Sequence, residues 1–357
     1  MQKLNRFKSK FSVTCDVWTS KNQLSFFGFT IHYTDEDWTM QECLLAFKYL
    51  EGEHDGQSLS KAMIEVLEDL KIAPRLLGVT ADNASNNITM MAFVEEYYQV
   101  NYPESAFSVA WNQVECMAHV INLAAQQVLK NFKQAVDTEQ YVSGCDPSDK
   151  MVTAVSRLSF LVRKIRRSPK MRRLMIRICN EKGVEFLIAI IDVQTRWNST
   201  YDMLVRAISI KDIISDTIYR HRDMLLAALL LDDNDWECIQ QLVEILSPLK
   251  EVTLLTSRDS QSICNGSVIP LYSYCTDMAI ESMGKFDHND DVFNGMEAAL
   301  KKLNHYYDKL SPIVGITLLL NPSLKKILSR ILGLDDRMDR KCHGTLQVCF
   351  FVLKAET

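Results

Sequence analysis

Three consecutive runs rich in aromatic and β-branched residues open the chain: FSVTCDVW from Phe11, LSFFGFTIHY from Leu24 and WTMQECLLAFKY from Trp38. They are joined only by the short polar turns TSKNQ and TDED. That spacing leaves room for hairpin connections and little else, so it predicts an antiparallel meander. After EGEHDG the period changes, and Leu59, Met63, Val66, Leu67 and Leu70 fall on one side of a helix. RLLGVTA, Arg75 to Ala81, is a short apolar run of the kind found in a buried strand beside parallel neighbours. A helical segment containing Met90, Met91, Phe93, Val94 and Tyr97 follows. A fifth strand is predicted near Phe107 to Trp111, and a helix from about Met117 to Asn131. The order is βββαβαβα.

That order restricts topology, because a strand reached through a helical crossover lies parallel, with a right-handed connection, beside a strand already in the sheet. The first strand of the meander is the natural neighbour of Arg75 to Ala81, which brings Asp16 and Asp82 together at neighbouring strand ends. Alternation sends Phe11, Val13, Cys15 and Val17 to one face and Ser12, Thr14, Asp16 and Trp18 to the other, so Asp16 lies on the more polar side.

Beyond residue 132 the strand pattern disappears. Arg157 to Ile178 is helical with a break at Pro169, and its apolar stripe is Leu158, Leu161, Val162 and Ile165. Further helices are predicted at Val184 to Val193, Thr200 to Ile218, Asp235 to Leu255, Ile269 to Met283 and Gly295 to Tyr307. Only 12 Gly and 8 Pro in 357 residues agree with long helices rather than a turn-rich β-sandwich. The longest apolar run, Met224 to Leu231, is far short of the roughly 18 residues needed to cross a bilayer, and no signal-peptide stretch opens the chain. A soluble chain without a membrane partner is expected. The 10 cysteines include no CxxC pair, which argues against a disulfide framework or a zinc finger and predicts reduced thiols in a cytosolic or nuclear setting.

Two carboxylates at neighbouring strand ends repel each other unless a cation neutralises them, which makes such a pair a candidate for Mg²⁺ or Mn²⁺. Taken alone, an Asp before Asn83 and Ser85 is more often a turn or cap residue, and Cys116 with His119 is more often a buried thiol and a core histidine. Arg157 to Arg177 holds nine cations and no acid: Arg157, Arg163, Lys164, Arg166, Arg167, Lys170, Arg172, Arg173 and Arg177. Although the whole chain carries a net charge of −5, this tract is a candidate phosphate-backbone contact, the alternative being a solvated helix face. Six phosphate contacts would give a slope of log K on log salt of about −5.

Six blocks occur in order: CDVWTS from Cys15, LEGEHDG from Leu50, GVTADNASNN from Gly78, CMAHVINLAAQQVL from Cys116, VRKIRRSP from Val162 and DVQTRWNSTYDML from Asp192. With these the sequence resembles the hAT superfamily of DNA transposases and the proteins domesticated from them. The resemblance implies an α/β fold, an RNase H-like mixed sheet followed by a large all-α insertion domain. The expected divisions are 8–132 for the RNase H-like core, 133–331 for the helical insertion and 332–357 for a divergent tail. Carried over by position, Asp16 and Asp82 match two acids of the family's metal site, and Cys116 and His119 match its CxxH motif, with the His near the scissile phosphate. Arg196 and Trp197 match its RW motif, the Trp placed to stack on a base and the Arg beside a phosphate. A core anchor is the other reading of Trp197.

The family's third metal ligand, a Glu in a later helix, and its N-terminal BED-type zinc finger find no match here. The expectation is therefore a transposase-derived nuclear protein that binds DNA, has an incomplete metal site and does not cleave or transfer strands. A regulatory protein-interaction scaffold, or a fragment of an active transposase, is the alternative. Helices that would return to cover one sheet face are expected to be missing, leaving that face to LQVCFFVL (Leu346 to Leu353), a protein partner or a second copy.

Overall fold

Alternation of buried and half-exposed residues, from Phe11 to Cys15 in Phe11–Thr19 (β1) and from Ser25 to His32 in Ser25–Thr34 (β2), builds two adjacent antiparallel strands. The computed structural model describes residues 9–20, 22–37, 39–50, 54–130, 132, 153–193, 196–221, 229–257, 265–285 and 291–320. Met40–Leu50 (β3) pairs antiparallel with β2 through a bulge at Phe29/Thr30, and Leu76–Ala81 (β4) pairs parallel with β1. Gln113–Glu115 (β5) then adds parallel to β4, giving the order β3-β2-β1-β4-β5. The mixed sheet and the helical region after it are the predicted α/β RNase H-like fold class.

The described residues divide into two compact units, one formed by those within 1–120, 254–273 and 305–320, the other by those within 121–253 and 274–304. In the first, Gly56–Asp69 (α1) and Ser85–Asn101 (α2) cover one sheet face. Phe11, Val13, Phe27, Phe29 and Ile31 from the strands meet Leu59, Met63, Leu67, Met90, Met91 and Val94 in one core. Each such side chain contributes about 1.5–3 kcal/mol on burial. Glu68 of α1 fixes the helix pair further by accepting the hydroxyls of Tyr97 (2.9 Å) and Tyr102 (2.8 Å).

The two helices touch closely at Gly56, where an added Cβ would lie 2.5 Å from Thr89 Cβ and 2.6 Å from the Met90 nitrogen. Backbone cannot yield as a side-chain end can, so Gly56→Ala is expected to destabilise this unit by about 1–3 kcal/mol. A chemical denaturation midpoint equal to wild type would show that the helices separate freely.

The fifth strand lies later than the sequence suggests. Val109–Asn112 (α3) is one helical turn, with strand β5 after it. Asn112 Oδ1 accepts the Ser108 N–H (2.8 Å), and Glu95 Oε1 of α2 accepts the Val109 N–H (3.2 Å). These bonds hold as a turn a segment whose residues suit a strand.

The expected bare sheet face is corrected in part. Pro312–Leu320 (α12) returns to this unit: Ser311 Oγ donates to the Trp111 carbonyl at 2.5 Å, and Ile313 Cδ1 lies 4.0 Å from the Cβ position of Gly78. Ser12, Thr14, His32 and Thr80 on the sheet line a cavity of about 430 Å³ with Val268 and Thr317. Further along the same face Trp18, Phe26, Phe47 and Tyr49 form a cluster with ring centroids 5.0–6.0 Å apart, and Phe47 and Tyr49 are half exposed. Leu346 to Leu353 lies outside the described residues.

The second unit is helical. It contains Ala154–Arg167 (α5), Pro169–Lys182 (α6), Trp197–Ser209 (α7) and Lys211–His221 (α8), and parts of Met117–Lys130 (α4), Asp233–Ser257 (α9), Val268–Met283 (α10) and Asp291–Tyr307 (α11). The stripe of Leu158, Leu161, Val162 and Ile165 is buried as its spacing requires. Ser168 both ends α5 and caps α6, its Oγ accepting the Met171 N–H (3.2 Å), with Pro169 at the first helical position.

Val184 to Val193 is not a helix. Gly183 ends α6 with φ +67°, and the following residues run without helical structure, Ile188 giving its carbonyl to Arg206 Nη1 (2.9 Å) of α7. A left-handed glycine stop followed by several β-branched residues overrides the apolar periodicity of this segment.

Candidate functional site

The β1–β4 register pairs Thr14 with Thr80, so two residues further along both strands Asp16 stands level with Asp82. On the other side of Asp82, the Cys116 N–H continues the β4–β5 ladder by donating to the Ala81 carbonyl (3.0 Å). Asp16, Asp82 and Cys116 thus sit at one level on three neighbouring strands, Asp16 within β1 and the other two just past the ends of β4 and β5.

Partial burial holds the Asp16 carboxyl above the usual carboxylate range, and repulsion from Asp82 adds to it, against a smaller pull from the Val17 N–H. Burial is also the main cause that raises the Cys116 thiol, with Asp82 and Asp16 contributing, while the His119 and Ala118 N–H groups at the start of α4 act against it. Beneath Asp16, Cys15 is pushed up to about 12 by burial and then by Asp16, Asp82 and Cys116. Both sulfurs are therefore thiols at neutral pH, and the two carboxylates are the hard donors of this corner.

Asp82 is also held as a turn residue. Its Oδ1 accepts the Ala84 N–H (3.1 Å) and the Asn87 Nδ2 (2.5 Å), and Asn87 also reaches the Asp82 carbonyl (3.3 Å). The turn reading and the metal-ligand reading are compatible, because Oδ2 has no protein donor among the described residues. His119 lies in the first turn of α4, half-buried, with no hydrogen bond between its ring and either Asp. Among the described residues no group of three or more His, Cys, Asp and Glu is placed to hold a metal ion. The residues present fit a hard divalent ion with two protein ligands, since Mg²⁺ commonly takes one or two carboxylates and completes its shell with water and phosphate oxygens.

Two residues here carry no role in the sequence analysis. Asn87 orients Asp82; in the sequence it is the last residue of the GVTADNASNN block, in the first turn of the helix after that Asp. Glu115, half-buried beside Cys116, is raised by burial against the pull of Asn83 and Lys309. Its signal is its place at the end of the last strand.

Comparison with known proteins gives the family. Residues 14–105 match the ZBED1 RNase-like domain, and residues 114–245 match the ZBED1 RNase-like helical domain. A protein of Talaromyces stipitatus named as the transcriptional regulator tpeD is 30% identical over 318 residues, 86% of this chain and 34% of that protein. A Zea mays protein named as AC transposase is 27% identical over 342 residues, 91% of this chain and 38% of its own length. RICESLEEPER 1 of Oryza sativa, a zinc finger BED domain-containing protein, is 20% identical over 350 residues, 94% of this chain and 44% of its own. The chain belongs to the hAT transposase-derived family. It spans less than half the length of these relatives.

In this hAT chain the RW pair opens α7. Trp197 is 2% exposed and meets Tyr201 edge to face at 6.4 Å, the environment of a core anchor, while Arg196 just before it is exposed. The basic tract sorts by environment. Arg157 is paired with Asp235, and Arg163 Nη2 lies 2.9 Å from Oδ1 of buried Asp192. Arg166 is half-buried, whereas Lys164, Arg167, Lys170, Arg172, Arg173 and Arg177 are exposed on α5 and α6 with no ion pair to an acid among the described residues. No described helix is long and apolar enough to cross a membrane.

Proposed function

We propose that this chain is a nuclear DNA-binding protein of hAT origin, holding DNA through the exposed cations of α5 and α6 and a divalent ion through Asp16 and Asp82. The observation that carries the reading is the convergence of the two acids on adjacent parallel strand ends, where each raises the electrostatic need for a cation. Its support on the DNA side is a two-helix surface with six positive charges that have no ion pair among the described residues, in a chain whose total is negative.

Asp16 and Asp82 would hold Mg²⁺ or Mn²⁺, and the ion would polarise a phosphoryl oxygen and lower the pKa of its bound water. The chain's own share is to fix one carboxylate through the Asp82 turn and to present the other from β1, the central strand of the sheet. With the two acids found among the described residues, the proposed site holds an ion and a phosphate without cutting DNA. Nicking by the purified chain in Mg²⁺ that is lost in both Asp16→Ala and Asp82→Ala would overturn that part of the reading.

The DNA part is tested by fluorescence anisotropy against salt. Each phosphate contact contributes about 0.9 to the slope of log K on log salt, so the triple variant Lys170→Ala, Arg172→Ala and Arg173→Ala is expected to lower the slope by about 2 to 3. Binding independent of salt, or an unchanged slope in the triple variant, would remove α5 and α6 from the interface.

A further inference from the structure

Asn87 is the third residue of α2, 4% exposed, and both hydrogen bonds of its side-chain NH₂ go to one residue: Asp82 Oδ1 at 2.5 Å and the Asp82 carbonyl at 3.3 Å. The same Oδ1 receives the Ala84 N–H. Two donors on one oxygen fix the torsion of the carboxylate, so Oδ2 stays the free oxygen. Without Asn87, one N–H bond would remain, and a carboxylate turned over would satisfy it equally well.

The donor itself is rigidly held. Asn87 donates its own N–H to the Ala84 carbonyl (3.0 Å), and its neighbour Asn86 donates to the His54 carbonyl (2.7 Å). Gly56 packs against the backbone of Thr89 and Met90 one half-turn on. The start of α2 is thus fastened to the strand end on one side and to the loop before α1 on the other.

We infer that Asn87 is a positioning residue that aims Oδ2 of Asp82 at the ion, an inference that rests on the metal reading above. Outer partners that orient a ligating carboxylate are worth about 10- to 100-fold in metal affinity. Isothermal titration with Mn²⁺ alone, on the full chain at fixed pH, is the test. Asn87→Leu, close in shape but without a donor, is expected to weaken Mn²⁺ binding by about 10- to 100-fold. Asn87→Ala is the second variant if the first does not fold, with circular dichroism confirming the fold of whichever is used. Asn86→Ala, which loosens the same helix start without touching Asp82, is expected to stay within about twofold of wild type. Affinity unchanged in a folded Asn87 variant, or an equal loss in Asn86→Ala, overturns the inference and leaves the metal reading intact. Absence of Mn²⁺ binding in the wild type overturns both.

Discussion

Asp16→Asn is expected to abolish divalent-ion binding and, in the same molecule, to raise the melting temperature of the metal-free chain at neutral pH. The two effects have one cause. Partial desolvation and then repulsion from Asp82 hold the Asp16 carboxyl above the usual range, so its ionised form is a cost to the folded state. A folded-state pKa above the unfolded value means that the native state binds the proton more tightly. Lowering the pH from neutral through the raised value therefore stabilises the metal-free wild type, until other groups begin to titrate, and at neutral pH the full repulsion is present. Asn removes the charge, so the variant should begin more stable and lack that rise on mild acidification. A divalent ion reverses the comparison: it stabilises wild type by mass action, and the variant, left with one carboxylate, gains nothing. The affinity loss should exceed the roughly 100-fold upper range of outer-partner effects, because a ligand itself is gone. Scanning calorimetry at neutral and mildly acidic pH, with EDTA and with Mn²⁺, reads every arm. A variant melting at the wild-type temperature in EDTA, or still stabilised by Mn²⁺, would show that Asp16 and Asp82 do not share an ion.

Much of this arrangement was legible in the chain. Period-two alternation from Phe11 onward gave the meander, and one topological rule about crossovers placed Asp16 beside Asp82 across a long sequence separation. Where reading failed, a bond from elsewhere decided. Phe107 to Trp111 has strand-like residues, yet Glu95 from α2 and Asn112 from its own turn tie it into a helix start. Val184 to Val193 has enough apolar residues for a helix face, yet Gly183 stops the preceding helix and Arg206 takes the carbonyl of Ile188. Asn87 escaped for a related reason: five residues from Asp82 is the spacing of neither a turn nor a helix face, and the contact exists only because a strand end runs directly into α2. The basic tract read as nine equal charges because the acids that pair with Arg157 and Arg163 stand far along the sequence, at Asp235 and Asp192.

That last difference sets the final expectation. Arg163→Ala should cost about 3 kcal/mol of stability in the helical unit, because it leaves Asp192 buried with only the Ser159 hydroxyl (2.6 Å) in place of a hydroxyl and a guanidinium. Removing one partner of a buried pair costs about 3–5 kcal/mol, and the one-third exposure of the Arg163 side chain favours the lower end. For a unit of this size that is a fall of about 6–12 °C in melting temperature. Replacing both partners by apolar residues, Arg163→Met with Asp192→Leu, should recover most of the loss, since the penalty lies in the stranded charge rather than in the pair's own attraction. The same double variant should leave the salt slope of DNA binding unchanged, in contrast to loss of exposed Lys170, Arg172 and Arg173. If Arg163→Ala instead melts with wild type while lowering the slope by about 0.9, Arg163 is a phosphate contact and its pairing with Asp192 gives way to DNA.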